Sequence, residues 1–256
     1  MPALAALLDT RPALATLRRG LARGRCGVLT CRNVNGLLRT LAERAVDGVI
    51  LGPQVAQRGA LPRVRGDFPG IPLIVFGALR ADDATQIAGW HAAGVREVVV
   101  EGVDDAVVGD LVSRHSCTAR RREALREAPT LLRLTEPIQL DTWALLMEEP
   151  GAPWEATQLA ERLAVSREHL SRQFGAGGAP NLKRVIDFLR VVSVAELGGN
   201  PGLDPSRLAR LTGFSSPAHL RATVRRITGE TLEGIAGAPP QTVLGRFVRV
   251  GRRSRG

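Results

Sequence analysis

The stretch ATQLAERLAVSREHLSRQF, residues 156–174, has the pattern of two short amphipathic helices joined by a very short turn. In each half the apolar residues recur at helical spacing on one face. Ser166 precedes the second half, where its side chain can accept a hydrogen bond from a free backbone N–H and serve as the N-cap. Because Ala164 and Val165 leave almost no loop, we expect two helices that meet at an angle.

A similar stretch, PSRLARLTGFSSPAHLRATV, covers residues 205–224. Gly213 and Phe214 occupy the turn. Ser216 takes the N-cap position, and Pro217 takes the first helical position, where its missing N–H costs nothing. A small alanine, a tight turn and a capped second helix form the helix-turn-helix pattern, whose second helix can lie in a DNA major groove. A single helical hairpin is more often plain packing, but two spaced copies favour DNA binding.

The two motifs resemble the DNA-binding domain of AraC-type bacterial transcription regulators, over residues 137–236. The residues that carry the resemblance, besides the two motif patterns, are Arg190, Ala195, Gly213, Phe214, Leu220, Val224, Gly229, Glu230 and Thr231. The sequence departs from the family at Val224, where an aromatic residue is usual, and at Leu232, where proline is usual. The resemblance implies an all-α double helix-turn-helix domain. It also implies that the helical pattern from Asn181 to Leu197 holds the two recognition helices in successive major grooves, about 34 Å apart.

The recognition helix of the first motif presents four residues outside its apolar face: Arg167, Glu168, Ser171 and Arg172. Together they offer hydrogen-bond donors and acceptors to base edges. Arg172 matches a family position that contacts bases, and arginine can bind O6 and N7 of guanine in a bidentate way. We therefore expect the first motif to carry most of the sequence discrimination.

The second motif has a different outward face, formed by Pro217, Ala218, Arg221 and Ala222. Ala222 stands where the family usually has arginine. Arg225, one turn beyond Arg221, is a further DNA-binding candidate. This face predicts apolar contact with thymine methyl groups and anchoring to phosphates rather than discrimination between bases.

Residues 1–117 alternate short apolar runs with helix-length amphipathic stretches. The predicted strands are 4–8, 26–31, 48–51, 71–76 and 97–100, and the predicted helices are 12–21, 34–44, 61–65, 84–93 and 105–115. Continuous apolar strands separated by helices are typical of a parallel sheet covered on both faces. We expect an α/β domain of the flavodoxin-like type.

In element order and in the stretch VDGVILGP, residues 46–53, this domain resembles the receiver domain of bacterial response regulators. Gly52 stands at the phosphoacceptor position, and only Asp9 remains of the acidic pair that binds Mg²⁺. Gly77 and Glu101 replace the hydroxyl residue and the lysine that end the fourth and fifth strands. Phosphoryl transfer needs a nucleophilic carboxylate, a metal and a cation. We expect a receiver-like domain without metal or cofactor, used for dimerisation or signal input.

Two further segments are basic. Residues 118–136 are interpreted as an Arg-rich linker, whose start can also continue the preceding helix. The adjacent arginines 120–122 could contact phosphate, although such a run more often forms a solvated face. Residues 237–256 are interpreted as a flexible basic tail. Its arginines are Arg246, Arg249, Arg252, Arg253 and Arg255.

Composition is that of a soluble globular protein, with 44% hydrophobic and 23% charged residues among 256. The net charge of +10 favours a polyanionic partner, and residues 118–256 carry +7 of it. The three cysteines lack the spacing of a zinc site or a disulfide framework. With neither a signal peptide nor a long apolar run, we expect a cytoplasmic protein that binds no membrane. We expect double-stranded DNA as its partner and a homodimer formed through the N-terminal domain.

Two alternatives to this interpretation are open, and the second belongs to another class of protein. The first is a response regulator controlled by phosphorylation at another acid. The second is an α/β enzyme with a helical accessory domain, for which Cys31, at the end of the second predicted strand, is the candidate nucleophile. No Gly-x-Cys-x-Gly turn surrounds Cys31. We therefore expect a transcription regulator without catalytic activity.

Overall fold

A computed structural model describes residues 3–22, 26–149 and 151–253. Within it the chain forms two compact units. The first runs to Arg120 and also includes Asn200–Leu203, and the second contains Arg121–Gly199 and the residues from Asp204 onward. The first is α/β and the second is all-α.

The first unit is built on a five-stranded parallel sheet. Its strands are β1 Ala3–Leu7, β2 Gly27–Thr30, β3 Gly48–Leu51, β4 Leu73–Gly77 and β5 Glu97–Val100. The order across the sheet is β2-β1-β3-β4-β5, which is the flavodoxin-like order. Every residue of β3 and β4 is buried, as expected for central strands covered on both faces. The predicted fold class of this unit is confirmed.

Six helices accompany the sheet in the described part of this unit: α1 Arg11–Ala22, α2 Val34–Glu43, α3 Pro53–Val55, α4 Leu61–Asp67, α5 Ala84–Ala92 and α6 Val108–Arg114. Helices α1 and α6 pack together over one face, where Leu17 and Val112 meet Ile50 in a single apolar cluster. A π-helical turn, Ala56–Ala60, joins α3 to α4, and Gly59 breaks the regular helix there with a φ of 95°. The segment for which the sequence predicts one short helix is thus helical almost throughout.

The second unit is helical, as predicted. Its helices are α7 Cys117–Ala124, which spans the division, α8 Ala128–Leu131, α9 Pro137–Glu148, α10 Ala156–Arg162, α11 Arg167–Phe174, α12 Leu182–Gly198, α13 Pro205–Leu211, α14 Pro217–Thr228, α15 Leu232–Ile235 and α16 Pro240–Arg253. Helix α12 lies at the centre, with eleven of its 17 residues buried. Helices α11, α13, α14, α15 and α16 all contact it.

The segment 118–136, for which the sequence predicts a continued helix or a linker, is helical over α7 and α8. Leu125, Ala128 and Leu132 are buried in the apolar core of the second unit. Arg121 is only 6% exposed, and its Nε donates to the Glu196 carboxylate on α12 at 2.6 Å. Arg122 donates to the last carbonyls of α9. The expected solvated face is therefore wrong for the buried Arg121, whereas Arg120 and Arg122 are exposed.

The predicted flexible tail is also wrong over the described residues, because Pro240–Arg253 forms helix α16. Val243, Leu244 and Phe247 are buried, and the Phe247 ring stacks on Phe188 of α12 at 4.8 Å between centroids. In the sequence the many arginines draw attention away from these apolar residues, although they recur at helical spacing. Arg255 lies outside the described residues.

Candidate nucleic-acid interface

The first helix-turn-helix motif closes with a Schellman turn. The Val165 N–H donates to the Ala160 carbonyl at 3.0 Å, and the Ala164 N–H donates to the Glu161 carbonyl at 3.2 Å. Ala164 has a φ of 55°, in the left-handed region that favours glycine. Ser166 then begins α11, its side chain accepting the His169 N–H at 3.1 Å. The predicted turn and N-cap are confirmed.

The second motif repeats this turn with glycine at the left-handed position. The Phe214 N–H donates to the Ala209 carbonyl at 2.8 Å. Gly213, whose φ is 75°, donates to the Arg210 carbonyl at 3.3 Å. Ser216 caps α14, as predicted, and is reached after one more residue than in the first motif. The two recognition helices therefore leave their turns by slightly different paths.

The inner faces of both recognition helices are buried, with Leu170, Phe174, Leu220 and Val224 all fully enclosed. The outer faces hold the predicted DNA-binding residues. Exposed among them are Arg167, Glu168, Ser171, Arg172, Ala218, Arg221 and Arg225, while Pro217 is half-buried. The structure thus places the candidates of each motif on one solvent-facing side of its recognition helix.

Four arginines on these faces are free to bind an external group. The guanidinium groups of Arg167, Arg172, Arg221 and Arg225 make no hydrogen bond or ion pair with any residue that the structure describes. Arg226, next to Arg225, differs because it is bound internally. Guanidinium groups that lack internal partners are the donors that phosphate oxygens and guanine edges require.

A buried carboxylate that the sequence prediction missed fixes the second recognition helix. The Asp187 side chain, on α12, is 4% exposed and accepts from Arg226 Nη2 at 2.7 Å. Lys183 Nζ lies 3.4 Å from the same oxygen. A buried charge must be paired, so this ion pair orients α14 on α12. The available signal is an acid on the apolar side of a helix between Ile186 and Phe188.

Arg190, also on α12, connects the two motifs. Its Nη2 donates to the Trp154 carbonyl at 3.1 Å, just before the first motif. Its guanidinium group lies 6.0 Å from the centroid of the Phe214 ring, in the turn of the second. A Cβ on Gly213 would lie 2.5 Å from Pro153 Cβ, so the two segments touch. These contacts fix the position of one motif relative to the other.

The edge of the sheet that holds the phosphorylation site in receivers is closed by its own residues. A Cβ on Gly52 would lie 2.4 Å from Asp9 Oδ2. The Asp9 carboxylate accepts the Gln54 and Val55 N–H groups, each at 3.0 Å, and so caps α3. A Cβ on Gly77 would lie 2.5 Å from Pro53 Cδ. Neither glycine has room for a side chain in this packing.

Other candidate sites find no support in the described part of the chain. No three His, Cys, Asp or Glu side chains there are grouped so as to hold a metal ion. Cys31 is buried, with Sγ 3.6 Å from Thr40 Oγ1. None of the helices described is long and apolar enough to cross a membrane.

Comparison with solved structures gives remote matches to response regulators. No protein-family model matches the sequence, and no curated protein matches it. A response regulator from Thermotoga maritima is 16% identical, with a TM-score of 0.40 over 44% of this chain and 96% of that one. Full-length FixJ from B. japonicum is 11% identical, with a TM-score of 0.37 over 88% and 94%. RcsB from Salmonella enterica serovar Typhimurium, bound to promoter rprA, is 14% identical, with a TM-score of 0.39 over 74% and 99%. Likenesses this distant do not establish a function, which must come from the residues of this chain.

Introducing a carboxylate as Gly52→Asp is expected to lower the free energy of unfolding by about 1–3 kcal/mol, because the new side chain overlaps Asp9. Gly66→Asp makes the same change where a Cβ meets nothing within 4 Å, and is the matched control.

Neither the wild type nor Gly52→Asp should gain a phosphoryl group from acetyl phosphate and Mg²⁺, as measured by intact-protein mass. A stoichiometric adduct on either would contradict the closed edge.

The two turns predict opposite effects of exchanging glycine and alanine. Ala164→Gly relieves a left-handed alanine and should raise the free energy of unfolding by about 0.5–1 kcal/mol. Gly213→Ala adds that strain and a contact with Pro153, and should lower it by about 1–3 kcal/mol. Chemical denaturation of the full-length variants measures both. If both substitutions changed the free energy of unfolding in the same direction, the two turns would not share the same backbone constraint.

Proposed function

We propose that this protein is a sequence-specific transcription regulator of the AraC type, with double-stranded DNA as its ligand. The observation that carries the proposal is the pair of capped recognition helices, each with an exposed outer face that holds guanidinium groups without internal partners. Such a helix fits the major groove, and its arginines supply donors for phosphates and base edges.

The long-range electrostatics support a nucleic-acid partner. Residues 118–256 carry a net charge of +7, against +3 for residues 1–117. In the second unit Arg121 and Arg226 are neutralised by Glu196 and Asp187, so the net positive charge rests on the other arginines. The unpaired guanidinium groups on α11 and α14 remain as the main phosphate ligands. Their contacts would release counterions from DNA and make binding depend on salt.

The two motifs have different roles in this proposal, base reading for the first and phosphate anchoring for the second. On α11, Arg167, Glu168, Ser171 and Arg172 form a polar surface able to read bases, with Arg172 suited to guanine. On α14, Ala218 and Ala222 lie toward solvent with Arg221 and Arg225 beside them. Small side chains allow close approach to the groove and contact with thymine methyl groups, while the two arginines anchor the phosphates.

The first unit acts in this proposal as a surface for dimerisation or signal input without phosphorylation. Asp9 caps α3 instead of facing an open metal site, and Gly52 has no space for a phosphoacceptor. These contacts argue against regulation by phosphorylation at this edge of the sheet. The protein would act in the cytoplasm, where it meets the chromosome, and without catalytic activity of its own.

Selection of bound sequences from random duplex DNA by the full-length protein tests the function. We expect enrichment of a two-part site, and an affinity for it that falls with salt at a logarithmic slope of about −0.9 for each phosphate neutralised. A failure to enrich any sequence at low salt, together with an affinity independent of salt, would exclude the proposal.

Arg172→Ala should cost about 1–3 kcal/mol of binding free energy at the selected site and relax the preference at one base pair. Arg221→Ala, which removes an exposed arginine from the equivalent face of α14, should weaken binding to all sequences alike. Ala222→Ser should change little. Repeating the selection with each variant distinguishes these outcomes, and an unchanged profile for Arg172→Ala would show that the first motif does not read that base.

A further inference from the structure

Gln139 on α9 is fully buried, with an exposed fraction of 0%. Its Oε1 accepts the backbone N–H groups of Thr135 at 2.9 Å and Glu136 at 3.2 Å. These are bonds from the third residue of a helix back to its N-cap segment, as in a capping box. One end of the amide is thereby fixed to the start of α9.

The other end of the amide reaches the first recognition helix. Gln139 Nε2 donates to the carbonyls of Phe174 at 2.8 Å and Ala176 at 3.1 Å, with the Gln173 carbonyl at 3.4 Å. The last carbonyls of a helix have no partner within it and need one from outside. For α11 that partner is a side chain from α9.

The two recognition helices end differently. Helix α14 ends at Gly229, which has a φ of 76° and donates its N–H to the Arg225 carbonyl. This is a local left-handed cap. Helix α11 ends at Gly175, which has a φ of −81°, outside the left-handed region, and donates its N–H to the Gln173 carbonyl. The Phe174 carbonyl at the end of α11 therefore depends on Gln139, whereas α14 ends in its own left-handed cap.

We propose that Gln139 is a positioning residue for DNA reading, which fixes the end of α11 and with it the base-reading side chain of Arg172. The inference rests on the proposed function. Arg172 immediately precedes Gln173, so a loosened helix end displaces its backbone. A bidentate bond to guanine tolerates displacements of only about 0.5 Å. Gln139 thus contributes to specificity without touching DNA.

Two substitutions separate the halves of this amide. Gln139→Glu keeps an acceptor for Thr135 and Glu136 but places an oxygen opposite the α11 carbonyls. Gln139→Met removes both sets of bonds at similar volume. Thr142→Val is the control, because Thr142 is equally buried on α9 but its Oγ1 donates within that helix, to the Ile138 carbonyl at 2.6 Å.

The full-length variants are tested by selection from random duplex DNA and by amide hydrogen exchange without DNA. Both Gln139 variants should lose about tenfold in discrimination at the base pairs read by α11, and change by less than about twofold at those read by α14. Amides of α11, but not of α14, should exchange faster. Thr142→Val should match the wild type in base preference.

The outcomes separate this inference from the proposed function. If the wild type selects no sequence, the proposed function is wrong. Faster hydrogen exchange confined to α11 in the Gln139 variants would then still show that Gln139 fixes the end of that helix. If the wild type selects a site but both Gln139 variants keep its preferences, or lose them equally in both halves, the positioning role is wrong. Loss of folding in both Gln139 variants would indicate a general structural role and also overturn it.

Discussion

The second unit depends on the burial of helix α12 on nearly all sides. A helix in this position cannot follow a simple division into apolar and polar faces, so each polar side chain within it needs a partner. Asp187 finds Arg226, Arg190 finds the Trp154 carbonyl, and Ser193 donates to the Leu189 carbonyl at 3.2 Å. The first two of these partners belong to the two motifs or border them. The cost of burying polar groups is thus offset by contacts that place both motifs on one rigid element.

Much of the fold could be predicted from the sequence because its signals are local. Apolar runs of strand length gave the parallel sheet, and the strand order then agreed with the flavodoxin-like pattern. Ser166 and Ser216 were predictable as N-caps because a cap depends on the few residues that follow it. The exposed face of each recognition helix followed from helical spacing once the apolar residues had been placed.

What could not be predicted depends on partners distant in sequence. The arginine run looked solvated because a charged side chain is usually exposed, yet Arg121 meets Glu196, 75 residues away. The tail looked flexible because its arginines dominate the composition, but Phe247 stacks on Phe188. Gln139 gave no signal at all, since its value comes from carbonyls 34 to 37 residues ahead of it. Local patterns locate helices, and only tertiary contacts show which side chains hold them.

The closed edge of the sheet also bears on how this sequence can change. An acid at position 52 requires the Asp9 carboxylate to move, and loss of that carboxylate removes the cap from α3. The backbone N of Asp9 would also lie only 2.7 Å from a Cβ at position 52, so removing the Asp9 side chain would not clear the space by itself. An acid at position 52 therefore requires the backbone near Asp9 to shift as well. Packing around Gly52 thus makes a reactive carboxylate hard to introduce at this edge of the sheet.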